Sequence, residues 1–359
     1  MILVNKNSRY EPLIGILKTS KNKRYLEVHR LSSLKQIGER DIIKLLQVYL
    51  EKMPNMILPF GDDASAIDIG HEKVAVINMD MLVRKTDVPQ KMSLWQAARK
   101  AVIMNFSDLA AKGSEPLVLL VSLGLTPDLT KTDIIEIGKG LNAGAREYGA
   151  YILGGDTNEA SDLIISCTAI GICEKKYLMK RSGVKPEDYL AVTGSFGKTA
   201  SGLKILIDEL SASDVQNLLI DSVLMPKARV KEGTTLASSN SVTACIDSSD
   251  GLAWSIQELS NASKVGFVVD NLPIAPEVKK FAKIHGLDSK DLALYGGEEY
   301  ELVLTVKPSL WNKAKNAVES VGGSLIKIGY ATNEQHILLH LDGKPFYVDT
   351  KGWEHFKTD

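Results

Sequence analysis

Aspartates that follow apolar runs, with glycine or serine nearby, are the residues of this sequence best suited to chemistry. Several carboxylates without evident counter-cations indicate a shared cation, because acids brought together otherwise repel one another and stay protonated. Mg²⁺ bound with ATP is favoured, because Mg²⁺ prefers carboxylate, water and phosphate oxygens. The candidates are Asp63, Asp80, Asp108, Asp156, Asp247 and Asp250, nearly all predicted at strand ends or in turns.

Other kinds of site find little support. The stretch GSFGKTASG at 194–202 lacks the first glycine of a P-loop, since Val192 stands there, although amides leading into the helix at 199–210 could bind an anion weakly. No GxGxxG follows a strand and no G-x-S-x-G occurs, which removes the simplest dinucleotide and serine-nucleophile sites. The loop Asp247–Asp250 has a second interpretation, because Ser249 or Asp250 could equally cap the next helix.

Length and composition set the broad class. The 359 residues, 44% hydrophobic and 24% charged, predict a folded protein of two domains. A net charge of −1 without a long basic block argues against nucleic acid as the main partner. The three cysteines form no CxxC pair and no zinc-ligand spacing, which indicates buried thiols in a reducing compartment. The apolar runs are too short for a signal peptide or a membrane span, so we expect a cytoplasmic location without a membrane partner.

The elements that must position the aspartates alternate between strand and helix. Apolar spacing predicts a helix over 34–52, a strand at VAVINMDMLV interrupted by Asp80, and a helix from an N-cap at Ser93 that carries Asp108. A strand at PLVLLVSLGL, a helix at 128–148 and strands at YILGGDT and LIISCTAIGICE complete an α/β first half.

The second half also alternates strands and helices. The composition changes in KKYLMKRSGVKPEDYL, where basic residues lie beside Gly183 and Pro186, and we place the domain boundary between 178 and 179. Strands such as YLAVTGS and GFVVDNLPI follow, with helices between them, and Asp342-Gly343 signals a closing hairpin. The predicted division is an extension over 1–33, a first domain over 34–178 and a second over 179–359.

The motifs together resemble one family. GDDA at 61–64, NFSDLAAKGSEP at 105–116, GGDT at 154–157, RSGVKPED at 181–188, VTGSFG at 192–197, DSSDGL at 247–252 and GGEEYEL at 296–302 follow the order seen in thiamine-monophosphate kinases. That family belongs to the aminoimidazole-ribonucleotide-synthetase-like superfamily of ATP-using enzymes. The resemblance covers about residues 35–356 and leaves 1–33 unmatched.

The resemblance implies a two-domain α/β (α+β) fold of the aminoimidazole-ribonucleotide-synthetase type. It implies an N-terminal ATP- and Mg²⁺-binding domain that pairs in a homodimer, a C-terminal α/β domain, and ATP bound without a P-loop. The implied reaction passes the γ-phosphoryl group of ATP directly to thiamine monophosphate and gives thiamine diphosphate. Direct transfer suits an acceptor phosphate that is already ionised near neutral pH, so no strong base and no phosphoenzyme are expected.

Site residues carry over motif by motif as implications of the resemblance. The metal ligands would be Asp63, Asn78, Met79, Asp80, Asp108, Asp156, Asp247 and Asp250, with Asn78 and Met79 standing where the family has hydroxyl residues. Asp108 and Asp156 would be catalytic. The ATP contacts would be Gly155, Asp156, Arg181 and Ser249.

The acceptor side departs most from the family. Glu298 resembles the residue that meets thiamine monophosphate. Asp87 stands where the family has a histidine, and Thr350 where it has an aromatic contact, with Trp353 close by as a substitute. Two alternatives therefore stay open: a kinase or ligase of the superfamily that acts on another small acceptor, and a non-catalytic nucleotide-binding dimer.

Overall fold

A computed structural model of the chain describes residues 34–341 and 343–356. The predicted extension over 1–33 lies outside the described residues, as does Asp342 of the predicted hairpin. The chain divides into two compact units, and the smaller one holds the described residues 34–52 and 354–356. Its helix α1, Leu34–Gln47, is interrupted at Gly38 and ends earlier than the predicted residue 52. Within this unit Arg40 forms an ion pair with Glu354, at 3.2 Å.

The larger unit, Met53–Trp353, begins with a five-stranded sheet in the order β1-β2-β5-β3-β4. Neighbouring strands are antiparallel except β3 and β4, which are parallel. The strands are β1 Ser65–Gly70, β2 Lys73–Val83, β3 Glu115–Leu125, β4 Tyr151–Glu159 and β5 Ile164–Glu174, and the helices are α2 Arg84–Asp87, α3 Leu94–Ala111 and α4 Lys131–Glu147.

A seven-stranded sheet follows in the order β12-β11-β8-β10-β6-β9-β7. Its strands are β6 Tyr189–Val192, β7 Val242–Asp247, β8 Gly266–Val269, β9 Leu302–Val306, β10 Ile326–Thr332, β11 Ile337–Leu341 and β12 Lys344–Tyr347. The helices are α5 Lys198–Ile207, α6 Gln216–Leu224, α7 Val230–Ser239, α8 Leu252–Ser263, α9 Pro276–His285, α10 Ser289–Tyr295 and α11 Trp311–Ser320. β11 and β12 pair antiparallel, as the predicted hairpin requires.

Helix α3 forms the centre of the first half. Ser93 starts it with a capping box, in which its Oγ accepts from the Gln96 N–H at 3.2 Å and its N–H donates to Gln96 Oε1 at 2.9 Å. Phe106 and Ile103 of this helix are fully buried in a core cluster that also contains Val76 of β2 and Leu304 of β9. A continuous core therefore joins the two sheets through α3.

The predicted strands and helices of the first half are confirmed, and so are most of the second. Sequence patterns missed the short α2 in the first half and α6, α7 and α10 in the second. The stretch 178–188 between the two sheets holds neither strand nor helix, and the predicted boundary between 178 and 179 stays a prediction. Over the described part of the chain, no helix combines the length and the apolar character needed to cross a membrane.

Candidate active site

Strand β2 and helix α3 bring two asparagines and two aspartates together. Asn105 and Asp108 are one helical turn apart and so lie on the same side of α3. The Asn105 Oδ1 accepts from Asn78 Nδ2 and from the Asp80 N–H, both at 3.2 Å. Asn78 Nδ2 also donates to Asp108 Oδ2 at 2.9 Å. These hydrogen bonds fix the Asp108 carboxylate against the strand that carries Asp80.

Asp247 reaches the same place from the second sheet. It is the last residue of β7, is 4% exposed, and its Oδ2 accepts from Ser107 Oγ at 2.7 Å. Asp63 arrives from the loop before β1. One carboxylate oxygen from each of Asp63, Asp108 and Asp247 lies within 4.8 Å of the others, and we call these three residues the acidic cluster.

Charge compensation differs within the acidic cluster. Burial opposes ionisation of Asp63, but Arg181 and Lys112 more than offset it and hold the pKa of Asp63 below its usual value. Arg181 Nε donates to Asp63 Oδ1 at 2.8 Å, and Lys112 Nζ lies 2.7 Å from Oδ2. Asp63 is therefore neutralised by the chain itself.

Compensation is weaker at Asp108 and Asp247, because the charge of Arg181 acts on both but does not outweigh burial. Burial, followed by the charges of Asp80 and Asp247, raises the pKa of Asp108 well above its usual value. Burial and the charge of Asp63 raise the pKa of Asp247 to about 7. The nearby Asn78 Oδ1 is buried without a hydrogen-bond partner among the described residues. Two carboxylates and an unused amide oxygen form a donor set of the kind that Mg²⁺ prefers, so these residues fit the ion.

The remaining predicted ligands lie outside the acidic cluster. Asp80 is close enough to exert the largest single charge effect on the pKa of Asp108. The side chain of Met79 is 66% exposed. Asp250 lies in the loop before α8, where its carbonyl accepts from the Trp353 N–H at 3.1 Å. That helix is capped by Gly251 without a side-chain hydrogen bond, so the cap expected from Ser249 or Asp250 is wrong.

Asp156 is the predicted catalytic residue that the chain does not bring to the acidic cluster. The sequence predicted Asp156 at a strand end, but it lies inside the exposed strand β4. Asp80 likewise lies inside β2. The sheet register aligns Asp156 with Ser122 and with the exposed Met81, whereas Asp80 aligns with the buried Cys167. Because neighbouring strand residues point to opposite faces, Asp156 shares the exposed face of the sheet.

The predicted ATP contacts each have partners within the chain. A Cβ added at Gly155 would lie 1.6 Å from the Val121 carbonyl oxygen, so glycine is required there for β3 and β4 to pair. Arg181 donates to Asp63 and also to the Gly61 carbonyl, at 2.7 Å. The Ser249 carbonyl accepts from the Glu298 N–H at 2.6 Å.

Lys100 joins two of the predicted acceptor residues and was missed in the sequence. It is 1% exposed, and its Nζ donates to Glu298 Oε1 at 2.5 Å and to the Asp87 carbonyl at 3.0 Å. The Asp87 carboxylate points back to the start of α2, where it accepts a hydrogen bond from the Val83 N–H at 2.7 Å. Trp353 is 55% exposed, and its backbone N–H donates to the Asp250 carbonyl. Only the position of Lys100 inside an apolar helix could have signalled its role.

Tyr300 was also missed. It is 3% exposed and, like Glu298, adopts positive φ, at 52° and 62° respectively. Burial raises the pKa of its phenol well above the usual value, and the charges of Glu298, Asp80, Asp247 and Asp87 act in the same direction. Carboxylates of both the acidic site and the acceptor side therefore act on this phenol.

The anion site expected before α5 is filled from within the chain. Glu299 Oε1 accepts from the N–H groups of Gly197 and Thr199, at 2.7 and 3.1 Å. Burial raises the pKa of this carboxyl to about 7. The helix N-terminus holds the chain's own carboxylate, so the weak anion binding expected there is wrong.

Known proteins resemble this chain over both of its halves. Two family models match: AIR synthase related protein, N-terminal domain, over residues 61–173, and AIR synthase related protein, C-terminal domain, over 185–342. A thiamine-monophosphate kinase of Nitrosopumilus maritimus is 32% identical over 325 residues, which are 90% of this chain and 100% of that protein. One of Pyrococcus horikoshii is 34% identical over 316 residues, 88% of this chain and 96% of that protein.

A solved structure, "AaThiL complexed with AMPPCP and TMP", matches with a TM-score of 0.79 at 26% identity, and the match covers 90% of this chain and 99% of that one. The expected two-domain fold is thereby confirmed. With both halves matched and relatives above 30% identity aligned over nearly their whole length, the chain belongs to the thiamine-monophosphate kinase family.

Proposed function

We propose that this chain transfers the γ-phosphoryl group of ATP to thiamine monophosphate, with Mg²⁺, and forms thiamine diphosphate. The observation that carries the proposal is the convergence of Asp63, Asp108 and Asp247 within 4.8 Å, where the pKa of Asp108 and that of Asp247 are both raised. The names of the relatives and the ligands of the related structure support ATP and thiamine monophosphate as the substrates.

The protein's task in such a transfer is alignment and charge neutralisation, because the acceptor phosphate is already ionised. Asp108 and Asp247 would hold Mg²⁺, with the Asn78 amide oxygen beside them. Bound Mg²⁺ would neutralise charge on the transferring phosphoryl group. Arg181 neutralises Asp63, the third carboxylate of the acidic cluster, through a hydrogen-bonded ion pair. We include Asp156, Asp80, Asp250 and Met79 as further ligands on the strength of the family motifs alone.

The acceptor would lie on the Glu298 side of the acidic cluster. A carboxylate suits the positively charged thiazolium ring of thiamine, and Lys100 fixes the orientation of Glu298. Tyr300 is buried two residues along from Glu298, and its raised pKa keeps the phenol protonated, so it can donate a hydrogen bond to a phosphate oxygen. Trp353 would offer an aromatic surface at the rim.

The test is product identification. Purified protein with Mg²⁺, ATP labelled in the γ-phosphate and thiamine monophosphate should yield labelled thiamine diphosphate and ADP in equal amounts. EDTA should abolish the product. Hydrolysis of ATP without a labelled acceptor, or no turnover at all, would contradict the proposal.

A different acceptor is the second candidate, because the Asp87 carboxylate is turned toward Val83 and not toward Glu298. ADP release should be compared over a panel of thiamine monophosphate, thiamine, nucleosides and small amides. Faster turnover with another acceptor would assign the chain to a neighbouring activity of the superfamily.

We also propose a homodimer formed through the five-stranded sheet. Helix α3 covers one face of this sheet, and the other face carries exposed apolar side chains. Met79 and Leu120 both align with Thr168 in the register and are 66% and 45% exposed, and Leu153 is 67% exposed. Light scattering should give twice the chain mass of 39.2 kDa, and a mass of one chain would refute the dimer.

A cytoplasmic location is proposed from the thiols. All three cysteines of the chain are free. Burial raises the pKa of Cys167 to about 12 and that of Cys173 to about 11, which keeps both thiols unreactive. Fractionation of the host cells would place the protein elsewhere if the proposal is wrong.

A further inference from the structure

Lys112 is a fully buried lysine beside the acidic cluster. It caps the C-terminal end of α3, and its N–H reaches the carbonyls of Asp108 and Leu109, both at 3.2 Å. Its ammonium pairs with the Asp62 carboxylate, lies 2.7 Å from Asp63 Oδ2 and donates to the Cys245 carbonyl at 3.2 Å. A single side chain thus neutralises two adjacent carboxylates.

The Lys112 ammonium lies against one carboxylate oxygen of Asp63. Arg181 takes Asp63 Oδ1 and Lys112 takes Oδ2, so both oxygens of Asp63 face cations of the protein. The ammonium is paired with the carboxylates of both Asp62 and Asp63. The lysine therefore stays positive, and a fixed positive charge this close to the acidic cluster opposes the binding of Mg²⁺.

We propose that Lys112 is a resident cation of the acidic cluster: it holds Asp62 and Asp63 in place before any metal binds, and it limits how tightly the cluster binds Mg²⁺. The inference rests on the proposed metal site and gives a role to Lys112, which lies within NFSDLAAKGSEP but was assigned none from the sequence. It predicts that the affinity for Mg²⁺ follows the net charge of the Asp62–Lys112 pair.

A charge series tests this on the nucleotide-free protein. Lys112→Met makes the pair more negative by one charge, Asp62→Asn makes it more positive by one, and the double variant Asp62→Asn/Lys112→Met restores the wild-type sum. The affinity for Mg²⁺ is measured by isothermal titration, and the melting temperature is measured with EDTA and with Mg²⁺.

The proposal expects Lys112→Met to bind Mg²⁺ roughly tenfold more tightly or better and Asp62→Asn roughly tenfold more weakly, with the double variant close to wild type. Lys112→Met should melt lower than wild type in EDTA and regain more of that loss in Mg²⁺. Equal affinities across the series would overturn the proposal. Should Lys112→Met fail to fold, the comparison of Asp62→Asn with wild type still decides, because an unchanged affinity there contradicts it.

Arg99→Met is the matched control. Arg99 is another buried cation of α3, but its partner is Glu147 of α4, at 2.7 Å, outside the acidic cluster. This variant should melt lower, but its affinity for Mg²⁺ and its gain in melting temperature from Mg²⁺ should equal those of wild type. The product assay separates the two proposals. If thiamine diphosphate forms but the Mg²⁺ affinities of the variants are equal, only the role of Lys112 is refuted. If the affinities follow the charge but no thiamine diphosphate forms, only the kinase activity is refuted.

Discussion

Asp108 and Asp247 destabilise the metal-free fold, because their carboxylates are buried close to other carboxylates. The same burial and crowding of negative charge suit them to hold a cation. Each is ionised with difficulty in the folded state, because burial and neighbouring carboxylates raise its pKa. Carboxylates without a functional role are rarely buried beside other carboxylates, because burying an unpaired charge is unfavourable. The contrast with Asp63, which the chain neutralises, indicates which side of the acidic cluster receives the ion.

Replacing Asp108 with asparagine should separate activity from stability. An amide keeps an oxygen that can accept from Asn78 Nδ2 but removes the buried charge. We expect turnover to fall by on the order of 10²-fold or more while the melting temperature in EDTA stays level or rises.

Asp156→Asn is the companion variant. It should also lose turnover if the family motif assigns Asp156 correctly, with no change in stability because Asp156 is exposed. Near-wild-type rates in both variants would refute the metal assignment.

The raised pKa of Asp247 also predicts how stability depends on pH. The folded-state pKa, about 7, exceeds the unfolded value of 3.8, so the folded state binds the extra proton between them. Metal-free protein should therefore lose stability as pH rises from about 4 to 7, by up to ~1.4 kcal/mol per pH unit for this carboxyl.

Urea unfolding in EDTA at pH 5, 6 and 7 measures this slope. Asp247→Asn should be less sensitive to pH over that range, so the difference between the two proteins isolates the carboxyl from other titrating groups. Asp63, whose pKa is lowered, stabilises the fold above 3.8 and loses that contribution only at lower pH. A difference that is constant from pH 5 to 7 would show that Asp247 is not buried as described.

At the scale of elements, α3 determines whether the site forms. It supplies Asp108 to the acidic cluster, and its Asn105 and Ser107 form hydrogen bonds with the residues of the site. It also packs closely on α4 through glycines. A Cβ added at Gly140 of α4 would lie 2.1 Å from the Trp95 carbonyl oxygen of α3. The position of α3 therefore depends on the lack of a side chain at Gly140.

Two alanine variants of α4 test this packing. Gly140→Ala should destabilise the fold by about 1–3 kcal/mol and reduce activity, because α3 must move. Gly138→Ala lies in the same helix, exposed, with nothing within 4 Å of the added Cβ, and should stabilise by about 0.5–1 kcal/mol. Urea midpoints measure both, and equal effects would contradict the close approach.

Local sequence was sufficient to predict most of these elements. The cap at Ser93, the apolar spacing of α3 and the strand around Asp80 are written within short windows, and the structure has each of them. The helices α2, α6, α7 and α10 were missed, as was the continuation of β4 past Asp156. Whether a strand continues past a polar residue depends on its neighbours in the sheet, which a local pattern does not contain.

Partners distant in the chain could not be predicted in the same way. Lys112 meets Asp62 and Asp63 across about fifty positions, and Lys100 meets Glu298 across nearly two hundred. A lysine inside an apolar helix has no local pattern that distinguishes a buried ion pair from an exposed side chain. The aspartates could be predicted as site residues because glycine and serine lie next to them in the sequence. No such neighbouring residues distinguish the lysines that pair with the acidic residues.

At the scale of the whole molecule, the exposed face of the five-stranded sheet predicts the assembly. Leu120→Glu places a charge on that face and should convert the dimer to single chains, because a charge would be buried without a partner. Leu218→Glu is the control, since Leu218 is equally exposed, at 46%, and lies on α6. Light scattering on both variants distinguishes them, and loss of the dimer in both would point to unfolding.

Diffraction from crystals grown with Mn²⁺ and a non-hydrolysable ATP analogue tests the central claim most directly, because Mn²⁺ replaces Mg²⁺ at oxygen sites and is visible by anomalous scattering. The account predicts an anomalous peak coordinated by the carboxylates of Asp108 and Asp247 and by the phosphates of the nucleotide. A nucleotide bound without a peak at these two carboxylates, or peaks only elsewhere, would contradict it.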